Sequence, residues 1–277
     1  MNHDKQPNLI RIPLEIRMMI YEHLLGGDGS KHMAIRSQPL RNISDAGSKP
    51  RRTLYPILSK SIGQPAYTAT YALNSIHPIY PAILSVNRMI HEEGSYYLYG
   101  RHDFRFGQDL DAVAPFLADR TPSTRDLIRS ITLYKQIPIN PTGHDSHGWT
   151  AICQSLGRLK QLTTLTIIVG CGRPQQPWDG PQELSVSDLR LLYSTRHELL
   201  DWVRELAGLD RIGNLVIAAD VQPLAVPNAH AMLVTAAFSA SIGSSLIQFL
   251  RDDLGVAATV AKKLGGQEAG FMYQMGD

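Results

Sequence analysis

The clearest alternation of apolar and polar positions lies near the start of the chain, in IPLEIRMMIYEHLL, residues 12–25. Pro13 suits the first turn of a helix, Glu15 complements its positive dipole end, and Gly26 and Gly27 supply the stop. At about 100° per residue, Leu14, Met18, Tyr21 and Leu25 share one stripe. Ile16, Met19, Ile20 and Leu24 gather on roughly the opposite side, and Glu15 and Glu22 occupy a seam between the two. Two apolar stripes need two packing surfaces, because leaving either in water forgoes roughly 25 cal/mol for each Å². One surface is the chain's own core. The other is either a further part of the same chain or a partner protein.

Residues 26–80 are rich in Gly, Ser, Pro and Arg and carry no sustained period, so they read as a loop-rich insertion, with short strands or turns at 54–58 and 66–73. Order returns over 80–100, where Ile83, Val86, Ile90 and Tyr97 fall at helical spacing, Gly94 weakens the helix and Gly100 ends it. Phe104 and Phe106, two apart, predict a half-buried strand over 101–106. Further strands are predicted at 128–133, 162–169 and 215–219. Helices with Trp149, Ile152, Cys153 and Leu156 on one face, and Leu199, Trp202, Val203 and Leu206 on another, precede the last two. The matching positions Ile131, Leu165 and Leu215 lie 34 and 50 residues apart, too irregular for a regular leucine-rich solenoid. The alternation predicts an α/β fold with a largely parallel sheet, because each helix returns the chain for the next strand. From about Asn228 the chain predicts a helical cover through Leu246, Ile247, Phe249, Leu250 and Leu254, and from Gly265 a loose tail.

Composition narrows this picture little. The 277 residues are 43% hydrophobic and 19% charged, a globular balance, and the net charge of +2 leaves no broad footprint for nucleic acid or anionic membrane. Lys49, Arg51 and Arg52 form a small basic cluster that reads as a solvated loop. Two cysteines do not make a disulfide framework, the first residues lack the apolar run of a signal peptide, and no stretch approaches a membrane span. The expected location is therefore cytoplasmic or nuclear. The glycosylation triplet at Asn42 carries no weight without a secretory route.

Catalytic signatures are sparse. The sequence contains no Gly-x-Ser-x-Gly elbow and no P-loop. Gly170, Cys171 and Gly172 superficially resemble a dinucleotide-binding turn, but Pro174 and Pro177 stand where the helix should begin. His144, His147, Cys153 and Cys171 are zinc-ligand types at poor spacing, and Cys153 falls on an apolar helix face. His91, Glu92 and Glu93 read as polar residues on the exposed side of a helix. The expectation is a protein with no catalytic residues, no metal and no cofactor.

The segment IPLEIRMMIYEHLL resembles the opening of an F-box, with Ile12 in place of the usual Leu. ILSVNRMIHEEGSYYLYGRHDFRF resembles the follow-on motif of a large fungal family of F-box-like proteins of unknown function. The resemblance implies a non-catalytic adaptor that binds a Skp-family protein and selects a protein substrate for an SCF-type ubiquitin ligase, without nucleic acid or membrane as partners. The matching positions are Pro13, Leu14, Glu15, Ile16, Ile20 and Leu24. It also implies two regions: an F-box-like region, 1–106, split by the insertion at 26–80, and a substrate-facing region, 107–277, with a degenerate leucine-rich-repeat-like sheet. The alternative is a structural or protein-interaction module with no ubiquitin-ligase role.

Overall fold

The computed structural model describes residues 9–26, 32–40, 52–57, 66–75, 78–137, 146–174, 178, 181–209, 212–224 and 230–261. Strand β4 (Asp103–Gly107) lies inside the sheet because Phe104 and Phe106 alternate into a fully buried face while Asp103 and Arg105 turn to the other. Its neighbours are β1 (His32–Pro39), β2 (Tyr55–Ile57), β3 (Tyr67–Asn74), β5 (Ser130–Gln136), β6 (Thr164–Pro174), β7 (Asn214–Leu224) and β8 (Ala258–Val260), in the order β2-β3-β1-β4-β5-β6-β7-β8. From β1 to β8 the spatial order follows the chain and every pair is parallel. β3 joins β1 and β2 antiparallel, so the eight-stranded sheet is mixed and the fold is α/β.

The helices are α1 (Leu14–Tyr21), α2 (Arg88–Arg101), α3 (Val113–Ala118), α4 (Pro122–Arg125), α5 (Ser146–Leu156), α6 (Val186–Ser194), α7 (Asp201–Ala207), α8 (His230–Ser241) and α9 (Ser245–Asp252). Successive crossovers of one hand, between strands added in one direction, place their helices on one side. Side chains from these helices share one core with one face of the sheet, whereas Tyr134, Ile168 and Ala218 form a small separate cluster on the opposite face. Met33, Phe104, Ile131, Leu165, Leu215 and Ala258 are lateral partners across six strands, and all are buried. The irregular spacing of Ile131, Leu165 and Leu215 thus reflects connections of unequal length between strands that remain in register.

An aromatic knot joins the two regions expected from the sequence. Phe116 of α3 lies 5.2 Å from Phe104, 5.5 Å from Phe106 and 5.6 Å from Tyr71, and Tyr99 stacks on Phe104 at 5.8 Å. Arg120 donates to the hydroxyls of Tyr71 and Tyr99 and lies against the Phe116 ring. One sheet and one core therefore run across the boundary at residue 106.

Several expectations need correction. The stretch 26–80 is not only loop: it supplies the unexpected β1, with Met33 and Ile35 alternating into the core, whereas β2 and β3 fall where short strands or turns are expected, at 54–58 and 66–73. The single helix expected over 80–100 is a 3-10 turn, Pro81–Ser85, followed by α2, whose start is capped by the Asn87 side chain accepting from the Ile90 amide. Val86 falls at that break and is 62% exposed, so it does not belong to the core face. Gly170, Cys171 and Gly172 lie inside β6, all three paired with β7 and Gly170 also with β5, and form no turn. Gly170 is required there because a Cβ would collide with the Tyr134 side chain lying over it. The C-terminal cover consists of α8 and α9, followed by the edge strand β8. The expected tail from Gly265 lies outside the described residues.

Among the described residues no single helix is long and apolar enough to cross a membrane. α8 and α9 pass that test only as a pair bent by 73°, and Ala237, Phe238, Leu246 and Phe249 within them belong to the core. Because Phe104 anchors the aromatic knot, Phe104→Ala is expected to lower stability by about 3–5 kcal/mol, measured by urea unfolding at neutral pH.

Candidate functional site

The chain enters α1 through a 3-10 turn, Leu9–Arg11, and Pro13 occupies the cap position just before the helix. α1 leaves through a π-helical turn, Glu22–Gly26, which changes the phase of the last apolar positions. Tyr21 and Leu25 are fully buried against α2. Two glycines permit this approach. A Cβ on Gly94 would stand 2.6 Å from Leu84 Cδ2 and 3.4 Å from Leu25 Cδ1, and one on Gly26 would stand 2.7 Å from the Tyr97 hydroxyl oxygen. Gly94, which weakens α2 by propensity, is the place where α1 crosses it.

An ion pair between the buried Arg17 and the half-buried Glu93 fixes this crossing. Arg17, on α1, donates from Nε to Glu93 Oε2 at 2.9 Å and from Nη2 to Oε1 at 2.6 Å, and from Nη1 to the carbonyls of Ile12 and Ile10 at 2.5 and 3.3 Å. Tyr21 adds its hydroxyl to Glu93 Oε2 at 2.8 Å. The Arg17 hydrogen bonds, helped by Tyr21, hold the Glu93 carboxyl below its ordinary value, and burial followed by the neighbouring Glu93 pushes the Tyr21 phenol up to about 12. The expectation that His91, Glu92 and Glu93 all lie on an exposed side fails for Glu93, which faces α1. His91 contacts the Leu84 carbonyl through Nδ1, and Glu92 pairs with Arg88.

With its inner side engaged, α1 presents the opposite stripe outward. Met19 is 63% exposed and Ile16 46%, and Ile20 and Leu24 are half-buried. Pro13 and Glu15 are exposed, and Leu14, although on the inner stripe, is 48% exposed because it precedes the crossing. The six matching positions thus surround the start and outer side of the helix and do not form one contact face. Sequence reasoning missed Arg17 and Glu93. The signal was present: Arg17 stands one turn before Tyr21 on a core-facing arc, where a charge requires a buried counter-charge.

Other polar clusters are internally satisfied. Asp103 accepts from Arg105 Nε at 2.9 Å, from the Ser130 hydroxyl at 2.9 Å and from Thr132, and Arg105 also donates to His32 Nε2 at 2.9 Å. Burial pushes the Asp103 carboxyl up, but the bonds from His32, Arg105 and Ser130 outweigh it and leave the value lowered. Ser130 donates to the carboxylate and not to His32, so the cluster lacks the hydroxyl-to-imidazole bond that activates a serine. Burial pushes the thiols of Cys153 and Cys171 up to about 12 and about 11, which keeps them neutral and weakly nucleophilic at pH 7. Among the described residues no group of three His, Cys, Asp or Glu is placed to hold a metal ion. His144 lies outside those residues, and so does the side chain of His147. Arg52, from the small basic cluster, donates to the Tyr71 carbonyl at 2.6 Å and lies over its ring, whereas Lys49 and Arg51 lie outside the described residues.

The chain belongs to the family described as Domain of unknown function (DUF7730), whose model matches residues 2–205. No curated protein and no solved structure matches it.

The lowered Glu93 carboxyl has a defined consequence for stability. Its contribution is fully present above the ordinary carboxylate value of about 4.3 and is lost as pH falls through the depressed folded value. Urea midpoints across a pH series are expected to show Glu93→Gln less stable than the unaltered chain at pH 7, with the gap closing below about pH 4.

Proposed function

We propose that the chain is a non-catalytic adaptor, docking a Skp-family protein through α1 and offering residues 107–277 to a protein substrate of an SCF-type ubiquitin ligase. The outer stripe of α1 carries this reading: Ile16 and Met19 stand in solvent on a helix whose opposite side is locked to α2. A helix held in place before binding loses little further conformational freedom on association, which favours a short docking element. Covering Ile16 and Met19 contributes roughly 1–2 kcal/mol each, since each is already part-buried. For residues 107–277, the ascending parallel strands support a leucine-rich-repeat-like reading, with helices on one face and the other face turned to a substrate.

The second reading, an interaction or structural module with no ligase role, is favoured by the depth to which Tyr21 and Leu25 enter the core, as they would in any core-building helix. Pull-down with a Skp-family protein separates the two. Ile16→Asp and Met19→Asp are each expected to weaken capture at least about tenfold, with unfolding free energies changed by no more than about 0.5 kcal/mol because both sites are exposed. No capture by the unaltered chain, or equal capture by both variants, removes the ligase reading.

A further inference from the structure

The outer stripe of α1 carries a sulfur. Met19 is 63% exposed, the highest value among the large apolar side chains of the described residues. The other sulfurs among those residues stand further from solvent: Met89 is 38% exposed, Met18 and Met232 are half-buried, and Met33, Cys153 and Cys171 belong to the core. Burial also keeps both thiols protonated, so neither competes for an oxidant. A thioether has no proton to lose, and its reactivity toward a peroxide follows access to the sulfur. Met19 stands one turn after Ile16 and beside Ile20, in the middle of the stripe that the adaptor reading gives to a partner. Arg17 and Tyr21 leave the helix on the other side and hold it on Glu93.

We propose that oxidation of Met19 to its sulfoxide switches this docking surface off and that reduction restores it. The switch rests on the adaptor reading, since it acts on the same stripe. The oxidant is a hydroperoxide, hydrogen peroxide in the simplest case. A sulfur lone pair attacks one peroxide oxygen, and an S–O bond forms as the O–O bond breaks. The proton on the transferred oxygen passes to the departing hydroxide, which leaves as water; sulfur gives up two electrons and the peroxide takes them. A dithiol reverses the step, becoming a disulfide while the sulfoxide oxygen leaves as water. The product turns a flexible apolar side chain into a polar one with a strong acceptor oxygen. An apolar partner surface that covers this oxygen leaves it without a donor, a cost that the thioether does not incur. In the free protein the oxygen stays in water, and the contacts of Arg17 and Tyr21 with Glu93 on the far side of α1 are untouched.

The test treats the full chain with hydrogen peroxide, removes the excess with catalase, and then measures capture by a Skp-family protein alongside peptide mass spectrometry. Met19 is expected to oxidise at least about tenfold faster than Met33, and a dose that converts most of Met19 is expected to weaken capture at least about tenfold while the urea midpoint stays in place. Methionine sulfoxide reductases for both sulfoxide epimers, with a dithiol, are expected to restore capture. Met19→Leu removes the sulfur and keeps an apolar side chain, so its own capture is expected to change less than about twofold on the same treatment. Met89→Leu is expected to stay as sensitive to peroxide as the unaltered chain. Met19→Gln, polar and of similar length, is expected to reproduce the loss without peroxide. Equal capture before and after full conversion of Met19, the same peroxide loss in Met19→Leu, full capture by Met19→Gln, or oxidation of Met19 no faster than Met33 each overturns the switch and leaves capture by the untreated chain standing. No capture before any peroxide removes the adaptor reading and the switch with it, so the two failures are distinct outcomes.

Discussion

The contact between Glu93 and Arg17 determines how α1 sits, and the functional reading depends on that placement. A helix of eight residues has no stability of its own in water, so tertiary contact must supply its order. A guanidinium at a core-facing position would disfavour folding if left alone, and removing either partner of such a pair leaves the other charge uncompensated. Here one guanidinium edge, Nε and Nη2, and the Tyr21 hydroxyl converge on a single carboxylate, while Gly94 and Gly26 let the two helices close around it. The same geometry that fixes the inner stripe leaves Ile16 and Met19 pointing away from the core.

The sheet sets a second constraint. In α/β sheets whose strand order reverses, adjacent crossovers leave on opposite faces and open a crevice where ligands bind. Along the parallel run β1, β4, β5, β6, β7, β8 the order here does not reverse, although β2 and β3 lie on the other side of β1. Helices accumulate on one face, and the other keeps polar networks such as Asp103 with Arg105, Ser130 and Thr132, and Tyr134 with Asp220. The polar groups of these networks donate to or accept from one another.

Much of this was legible in the sequence where a local period met a buried face. Phe104 and Phe106 announced β4, and Trp149, Ile152, Cys153 and Leu156 announced α5, because alternation and helical spacing each survive in one short segment. The strand β1 was missed although Met33 and Ile35 alternate, since two apolar residues among polar neighbours carry little signal before β3 and β4 flank them. The break at Val86 was hidden because a 3-10 turn followed by a capped helix keeps nearly the same apolar spacing as one long helix. Glu93 was misread for a different reason: the pattern around it is that of an exposed polar run, and only the position of Arg17 seventy-six residues earlier reverses that meaning.

The outer stripe of α1 and the far edge of the sheet are physically separate. α1 and Glu93 lie within the segment that the family model matches, residues 2–205, whereas β7 begins at Asn214, beyond it. Between α2 and β7 stand β4, β5 and β6, held in register by Phe104, Ile131 and Leu165 inside a continuous core. A partner covering Ile16 and Met19 would meet side chains that are already exposed, so docking there would need no rearrangement of the core. A ligand that does not discriminate between conformations of the scaffold transmits no coupling through it.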